Sequence, residues 1–179
     1  MTDKTQIIVT AATNMFARYG YAKTTMGDIA SEAGVARQTV YNAFPGKDEI
    51  LRAVVRQAGE DTYAAVMKAW SKTDSIDEKL SIFHELGPLK WFKAIRAAPD
   101  WAELIDGMHN AASEVMAAQD AQWRHAFATV LRTNATERPD VVDFFYSASL
   151  NAKYGVEDVQ HLRTRLATIK NATLALLKA

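Results

Sequence analysis

Cysteine is absent from the 179 residues. That one absence excludes disulfides, thiolate-bound zinc, iron–sulfur clusters and thiol catalysis, and the chain needs no oxidising compartment. Glycine is scarce, with 8 residues and no G-x-G-x-x-G phosphate loop, and no HExxH, nucleophile elbow or paired-carboxylate arrangement stands out. An enzyme is therefore not expected, nor is a bound cofactor. No apolar run approaches the roughly 18 to 20 residues of a membrane span. The first residues lack the apolar core and small-residue cleavage site of a signal peptide. These readings together place the chain in the cytoplasm. Net charge is lacking as well: 21 Lys plus Arg balance 21 Asp plus Glu, so the total advertises no polyanionic partner.

What is present is a globular composition, 49% apolar and 23% charged, long enough for one domain or for one plus a small appendage. Helical periodicity runs through it. Ile7, Ile8, Ala11, Ala12, Met15, Phe16 and Tyr19 are spaced by three and four on one face, and Gly20 ends that helix. Thr25 is a good N-cap for a short helix carrying Ile29, Ala30 and Ala33. A third helix spans Arg37 to Ala43, and Pro45-Gly46 breaks the chain after it. A longer helix runs from Lys47 to Trp70. Ile76 to Leu86 and Pro88 to Ala98 read as two helices parted by Gly87-Pro88, with Pro88 at a first helical position. From Trp101 to Leu131 the stripe fits one helix of about 30 residues or a kinked pair, and the last helices start at Pro139 and Val156. The fold class is all-α, with about nine helices and no run that alternates long enough for a strand.

Two short helices joined by Ala33-Gly34-Val35 make a helix-turn-helix pattern, in which glycine accepts the left-handed backbone of the tight turn. Ala30 is the small residue where the helices touch, and Val40 seats the second helix. With Phe16, Gly20, Thr25, Ile29, Ala33, Val35, Tyr41, Phe44 and Lys47 in register over about residues 7 to 51, the sequence resembles the TetR family of transcriptional regulators. The resemblance implies a three-helix DNA-binding unit over 1–50 (motif 25–44), a fourth helix leading into a helical effector-binding and dimerisation domain over 51–179, and a homodimer. The sequence departs from the family pattern at Ala36, where Ser or Thr usually caps the recognition helix, and mildly at Gly46 and Ile50.

Arg37, Gln38 and Thr39 open the third helix and so face base edges of double-stranded DNA in the major groove, with Tyr41 and Asn42 flanking. Arg suits guanine, Gln and Asn suit adenine, and Thr suits a thymine methyl. The resemblance implies phosphate contacts from Thr25, Tyr41 and Lys47. Charge agrees: Lys4, Arg18, Lys23, Arg37 and Lys47 against Asp28 and Glu32 leave a local +3 over residues 4 to 47.

Residues 51–179 hold all four Trp. Trp91, Trp101, Met108, Met116 and Trp123 fall at helical spacing, with His109 and Gln119 as polar intruders on the apolar stripe. They read either as plain core or, by the resemblance, as the pocket of a small, mostly apolar effector. Asp106, His109 and Glu103 lie close enough to share a metal, but no third firm ligand completes the set, so no metal site is assigned. Val159, Leu162, Leu166, Ile169, Thr173 and Leu176 repeat at three and four like a coiled-coil seam. With Phe145 and Ala148 of the preceding helix, Leu162, Leu166, Ile169 and Thr173 are the expected dimer face, and packing within one subunit is the alternative. The functional expectation is a ligand-responsive dimeric repressor on a palindromic operator. The competing reading is a helical interaction or ligand-binding protein that has lost operator binding.

Overall fold

The structure, a computed structural model, describes residues 3–97, 101–132 and 138–178, with the backbone alone at Asp3 and 101–109. Its helices are α1 (Asp3–Tyr19), α2 (Met26–Glu32), α3 (Arg37–Ala43), α4 (Lys47–Trp70), α5 (Ile76–His84), α6 (Lys90–Ala97), α7 (Trp101–Val130), α8 (Pro139–Asn151) and α9 (Val159–Leu176). No strand occurs among the described residues. None of these helices is long and apolar enough to cross a membrane.

The chain divides into two compact units, Met1–Glu60 with Ala94–Ala117, and Asp61–Lys93 with Ala118–Ala179. The first unit is built on the face read from the sequence. Ile8, Ala12, Ile29, Val40 and Ile50 are all fully buried, with Phe16 at 3% exposure. Two residues from a distant part of the chain, Ala112 and Val115 of α7, are buried in the same core. At Ala112 the backbone leaves helical geometry (φ −122°, ψ 15°), so α7 is the kinked pair rather than one straight helix.

The second unit closes on an aromatic cluster of Trp70, Phe83, Trp123, Phe127, Phe145 and Tyr146. Two boundaries differ from the sequence reading. Gly87-Pro88 does not separate two helices: Glu85–Leu89 form a π-helical turn that joins α5 to α6. Proline has no N–H, and its ring crowds the carbonyl one turn back. The wider π turn makes room for both defects without ending the helix. The last helix starts at Val159 and not Val156, because Asp158 caps it, its Oδ1 accepting from the His161 N–H at 2.7 Å. Val156 precedes the cap and is buried beside Leu89, Phe92, Ala152, Leu162 and Leu166.

That same packing bears on the expected seam. Leu162 (0% exposed), Leu166 (1%), Phe145 and Thr173 are buried within the single chain, so they present no surface that a second copy could cover. The Thr173 hydroxyl donates to the Ile169 carbonyl at 2.9 Å. Ala148 and Ile169 are half-buried.

Candidate nucleic-acid interface

The helix-turn-helix is held by local rules. Thr25 caps α2 through a reciprocal box: its hydroxyl oxygen accepts from the Asp28 N–H at 3.2 Å, and the Asp28 carboxylate accepts from the Thr25 N–H at 2.9 Å and its hydroxyl at 2.7 Å. Those hydrogen bonds, led by the Thr25 hydroxyl, hold the Asp28 carboxyl below its ordinary value. Gly34 carries the turn at φ +64°, where a side chain would be strained even though the space around it is open. The turn closes as the Val35 N–H donates to the Ala30 carbonyl at 3.0 Å. Val40, fully buried, anchors α3.

The residues nominated to meet DNA sit on one short stretch. Arg37, Gln38, Tyr41 and Asn42 are exposed on α3, and Thr39 is half-buried. Tyr41 is 45% exposed, a large exposure for an aromatic residue beside a buried anchor. Gln38 and Asn42 are not independent: the Gln38 amide Nε2 donates to Asn42 Oδ1 at 2.8 Å, an i,i+4 pair along the helix. Ala36 stands at the N-cap of α3 with no side-chain bond to the helix start, as its methyl dictates.

Lys47 has a task that sequence reasoning did not find. Its ammonium donates to the carbonyls of Tyr21 (2.7 Å), Thr24 (3.0 Å) and Ala22 (3.3 Å), which takes up all three of its protons. It also lies 4.3 Å from the centre of the Tyr21 ring. Burial holds it below the usual lysine value. Next to it, Tyr21 donates its hydroxyl to Asp48, and burial together with that carboxylate pushes the phenol up. The first turn of α4 thus grips the loop that carries Thr25. Arg52, one turn on, donates to the Ala111 carbonyl at 3.1 Å, beside the α7 kink, and pairs with Glu49 at 2.5 Å. The contacts of Lys47 and of Arg52 with carbonyls leave no mark in the sequence, since their acceptors are backbone groups.

The residues nominated for an effector fall apart into different surroundings. Met116 packs against the first unit's core, and Trp123 (7% exposed) is part of the second unit's aromatic cluster, edge-on to Tyr63, Trp70 and Phe83. Trp91 and Gln119 are half-buried. The side chains of Trp101, Met108 and His109, like those of Glu103 and Asp106, lie outside the described residues. A buried polar pair went unnoticed in the sequence: His84 (4% exposed) and Ser149 (0%) join Nε2 to Oγ at 2.9 Å in the second unit. The signal for it was the place of His84 on the Leu80 and Phe83 face of α5.

Residues 8–54 match the family model described as bacterial regulatory proteins, tetR family. Among curated proteins, the HTH-type transcriptional repressor LfrR of Mycolicibacterium smegmatis is 33% identical over 99 residues, 51% of this chain and 52% of that one. The chain spans about half the length of the curated relatives it matches. Among solved structures, a TetR transcription regulator from Haloarcula marismortui superposes with a TM-score of 0.72 at 18% identity, covering 98% of both chains. The complex of SmeT with triclosan gives 0.63 at 20% identity, covering 97% of this chain and 90% of that one; SmeT is the repressor of the Stenotrophomonas maltophilia efflux pump SmeDEF. At these identities the structural likeness speaks to the fold of the whole chain.

Proposed function

We propose that this chain, whose residues 8–54 are the helix-turn-helix domain of the TetR family of bacterial regulators, is a dimeric transcriptional repressor that leaves a palindromic operator when a small, mostly apolar effector binds. The observation that carries the reading is the exposed face of α3. A buried Val40 fixes the helix while Arg37, Gln38, Tyr41 and Asn42 stand in solvent on it, the arrangement a recognition helix needs in a major groove. Arg37 and the Gln38–Asn42 pair are the base readers, together with Thr39. Thr25 and Tyr41 hold phosphates and so set register without reading sequence. Lys47 belongs to the same phosphate side, and it serves chiefly by fixing the Tyr21–Thr24 loop on which Thr25 is presented. Cytoplasmic location follows from the function proposed.

The effector part of the proposal draws on SmeT, whose structure holds triclosan, and on the tryptophan-rich make-up of residues 51–179. An effector acts by favouring a dimer whose two reading helices no longer match grooves about 34 to 36 Å apart.

Selection from a random duplex library with the full chain tests the reading. A palindrome with two half-sites about one helical turn apart is expected. No enrichment at low salt leaves the chain a helical protein of this fold without an operator. On the selected duplex, Arg37→Ala is expected to weaken binding by about 1 to 3 kcal/mol and to relax one base pair, with little change on random DNA. Equal losses on both duplexes would remove Arg37 from the readers.

For the dimer, the outward face of α9 takes the place of the buried seam. Thr164, Ala167, Thr168, Asn171 and Ala175 are exposed there at helical spacing and carry no charge. Thr168→Glu with Ala175→Glu puts like charges on both copies. This pair is expected to give monomers in sedimentation at concentrations where the parent chain is dimeric. A dimer that survives both changes would place the interface on another face.

A further inference from the structure

We propose that Gly27 is a specificity-determining position: its bare backbone is the seat on which the Arg37 guanidinium lies, and that seat fixes which base the arginine meets. The inference rests on the operator-binding reading above and names a residue which that reading did not include.

Gly27 has no conformational reason to be glycine. It lies inside α2, a helix of seven residues, and is not among the glycines with positive φ. It is the second residue of the helix, where alanine is still the better helix former of the two. What the missing side chain permits is visible on its outer side. A Cβ at this position would stand 2.4 Å from Arg37 Nη2, 3.0 Å from Cζ and 3.1 Å from Nε. Three atoms of one planar group are therefore in close approach to the Gly27 backbone. No side chain fits between them.

The seat matters because an exposed arginine is otherwise only loosely oriented. Arg37 is exposed at the first position of α3, and a long side chain there samples many rotamers whose ordering opposes binding. Bidentate recognition of guanine needs the guanidinium fork in one orientation. Resting on Gly27, the group is placed before DNA arrives, and its donors remain open to solvent. The neighbouring Asp28 carboxylate is hydrogen-bonded by the Thr25 N–H and hydroxyl, and the Arg37 charge helps to hold it below its ordinary value, so Asp28 draws the guanidinium toward the same end of α2 without leaving its cap. The backbone under the seat is itself fixed, because α2 and α3 are joined by the Val35 to Ala30 hydrogen bond and by Val40 in the core.

Gly27→Ala separates stability from recognition. The atoms that must yield are the tip of a flexible, exposed arginine, so the fold accepts the methyl group. The midpoint of thermal unfolding is expected to hold or rise by about 1 to 4 °C. Affinity for the duplex selected by the parent chain is expected to fall about ten- to hundredfold, with relaxed preference at the same base pair that Arg37→Ala relaxes. In the Arg37→Ala background Gly27→Ala is expected to cost nothing further, because the seat has lost its occupant. In the free parent protein, the Arg37 side-chain Nε–H is expected to show a nuclear Overhauser contact to the Gly27 Hα.

A Gly27→Ala chain that binds the selected duplex as the parent does overturns the proposal. So do losses that multiply in the double variant, or the absence of the Arg37–Gly27 contact. Failure of the parent chain to select any sequence overturns the operator-binding reading instead, and this inference falls with it.

Discussion

Phe127→Ala is expected to destabilise the second unit by about 3 to 5 kcal/mol, the largest loss for any single change considered. Phe127 is fully buried. Its ring lies 4.8 Å from Phe83, 4.9 Å from Phe145 and 5.3 Å from Trp70, each edge-on or nearly so, with Trp123 stacked at 6.0 Å. Truncation removes the transfer energy of a large aromatic group and leaves a hole walled by five rings, Tyr146 at 6.1 Å being the fifth, none of which can collapse into it without losing its own contacts. Against a typical total of about 5 to 15 kcal/mol, the loss is a large share of the whole. Phe144→Ala is the control. Its ring is 39% exposed on the opposite side of α8, so a change of less than about 1 kcal/mol is expected. Urea unfolding of both variants decides the matter, and comparable losses would mean that the cluster is not packed as described.

Acid should unfold the protein through His84. Burial, with the Lys170 charge as a lesser cause, depresses this imidazole from 6.5 to about 4. The folded chain therefore keeps His84 neutral at pH values where the unfolded chain protonates it. Below pH 6.5 the unfolded state binds the extra proton, so stability falls as pH drops, and the loss saturates below about pH 4. By pH 5 the loss is about 2 kcal/mol, and in full about 3 kcal/mol. Carboxylates such as Asp28, Glu49 and Asp143, which the fold holds below their ordinary values, add their own losses at lower pH. The window from pH 7 to 5 thus isolates the histidine. His84→Gln, uncharged throughout, is expected to flatten urea midpoints across that window while lowering them at pH 7. A variant as pH-sensitive as the parent would assign the acid response to another group.

Much of the first unit was legible because its determinants are local. Thr25 ahead of an apolar segment marks a cap, Gly20 and Gly34 sit where α1 and α2 must stop, and the three-and-four spacing of Ile8, Ala12 and Phe16 marks the buried face. The failures share a physical cause. A proline announces that a regular turn is impossible but not whether the chain breaks or widens, so Pro88 looked like a helix start and lies within a π turn. A seam of Leu162, Leu166 and Thr173 announces that something covers it but not whose residues do. Here the chain's own Leu89, Phe92 and Val156 pack against the two leucines. The site residues divide in the same way. The exposure of α3 follows from the place of Val40. The employment of Lys47 by three carbonyls and the resting place of Arg37 on Gly27 depend on backbone atoms that composition leaves unmarked.

Ala112 and Val115 of α7 are buried in the core formed by α1 to α4, and Arg52 reaches the Ala111 carbonyl next to them. For protein engineering this makes the first unit a discontinuous part. A chimera that transplants residues 1–50 onto another protein leaves behind Leu51, Ala53, Val55, Ala112 and Val115, all buried in the interior it carries away. If the proposed function holds, an exchange of DNA specificity is better done by repainting α3, and position 27 beneath it, than by a cut at residue 50.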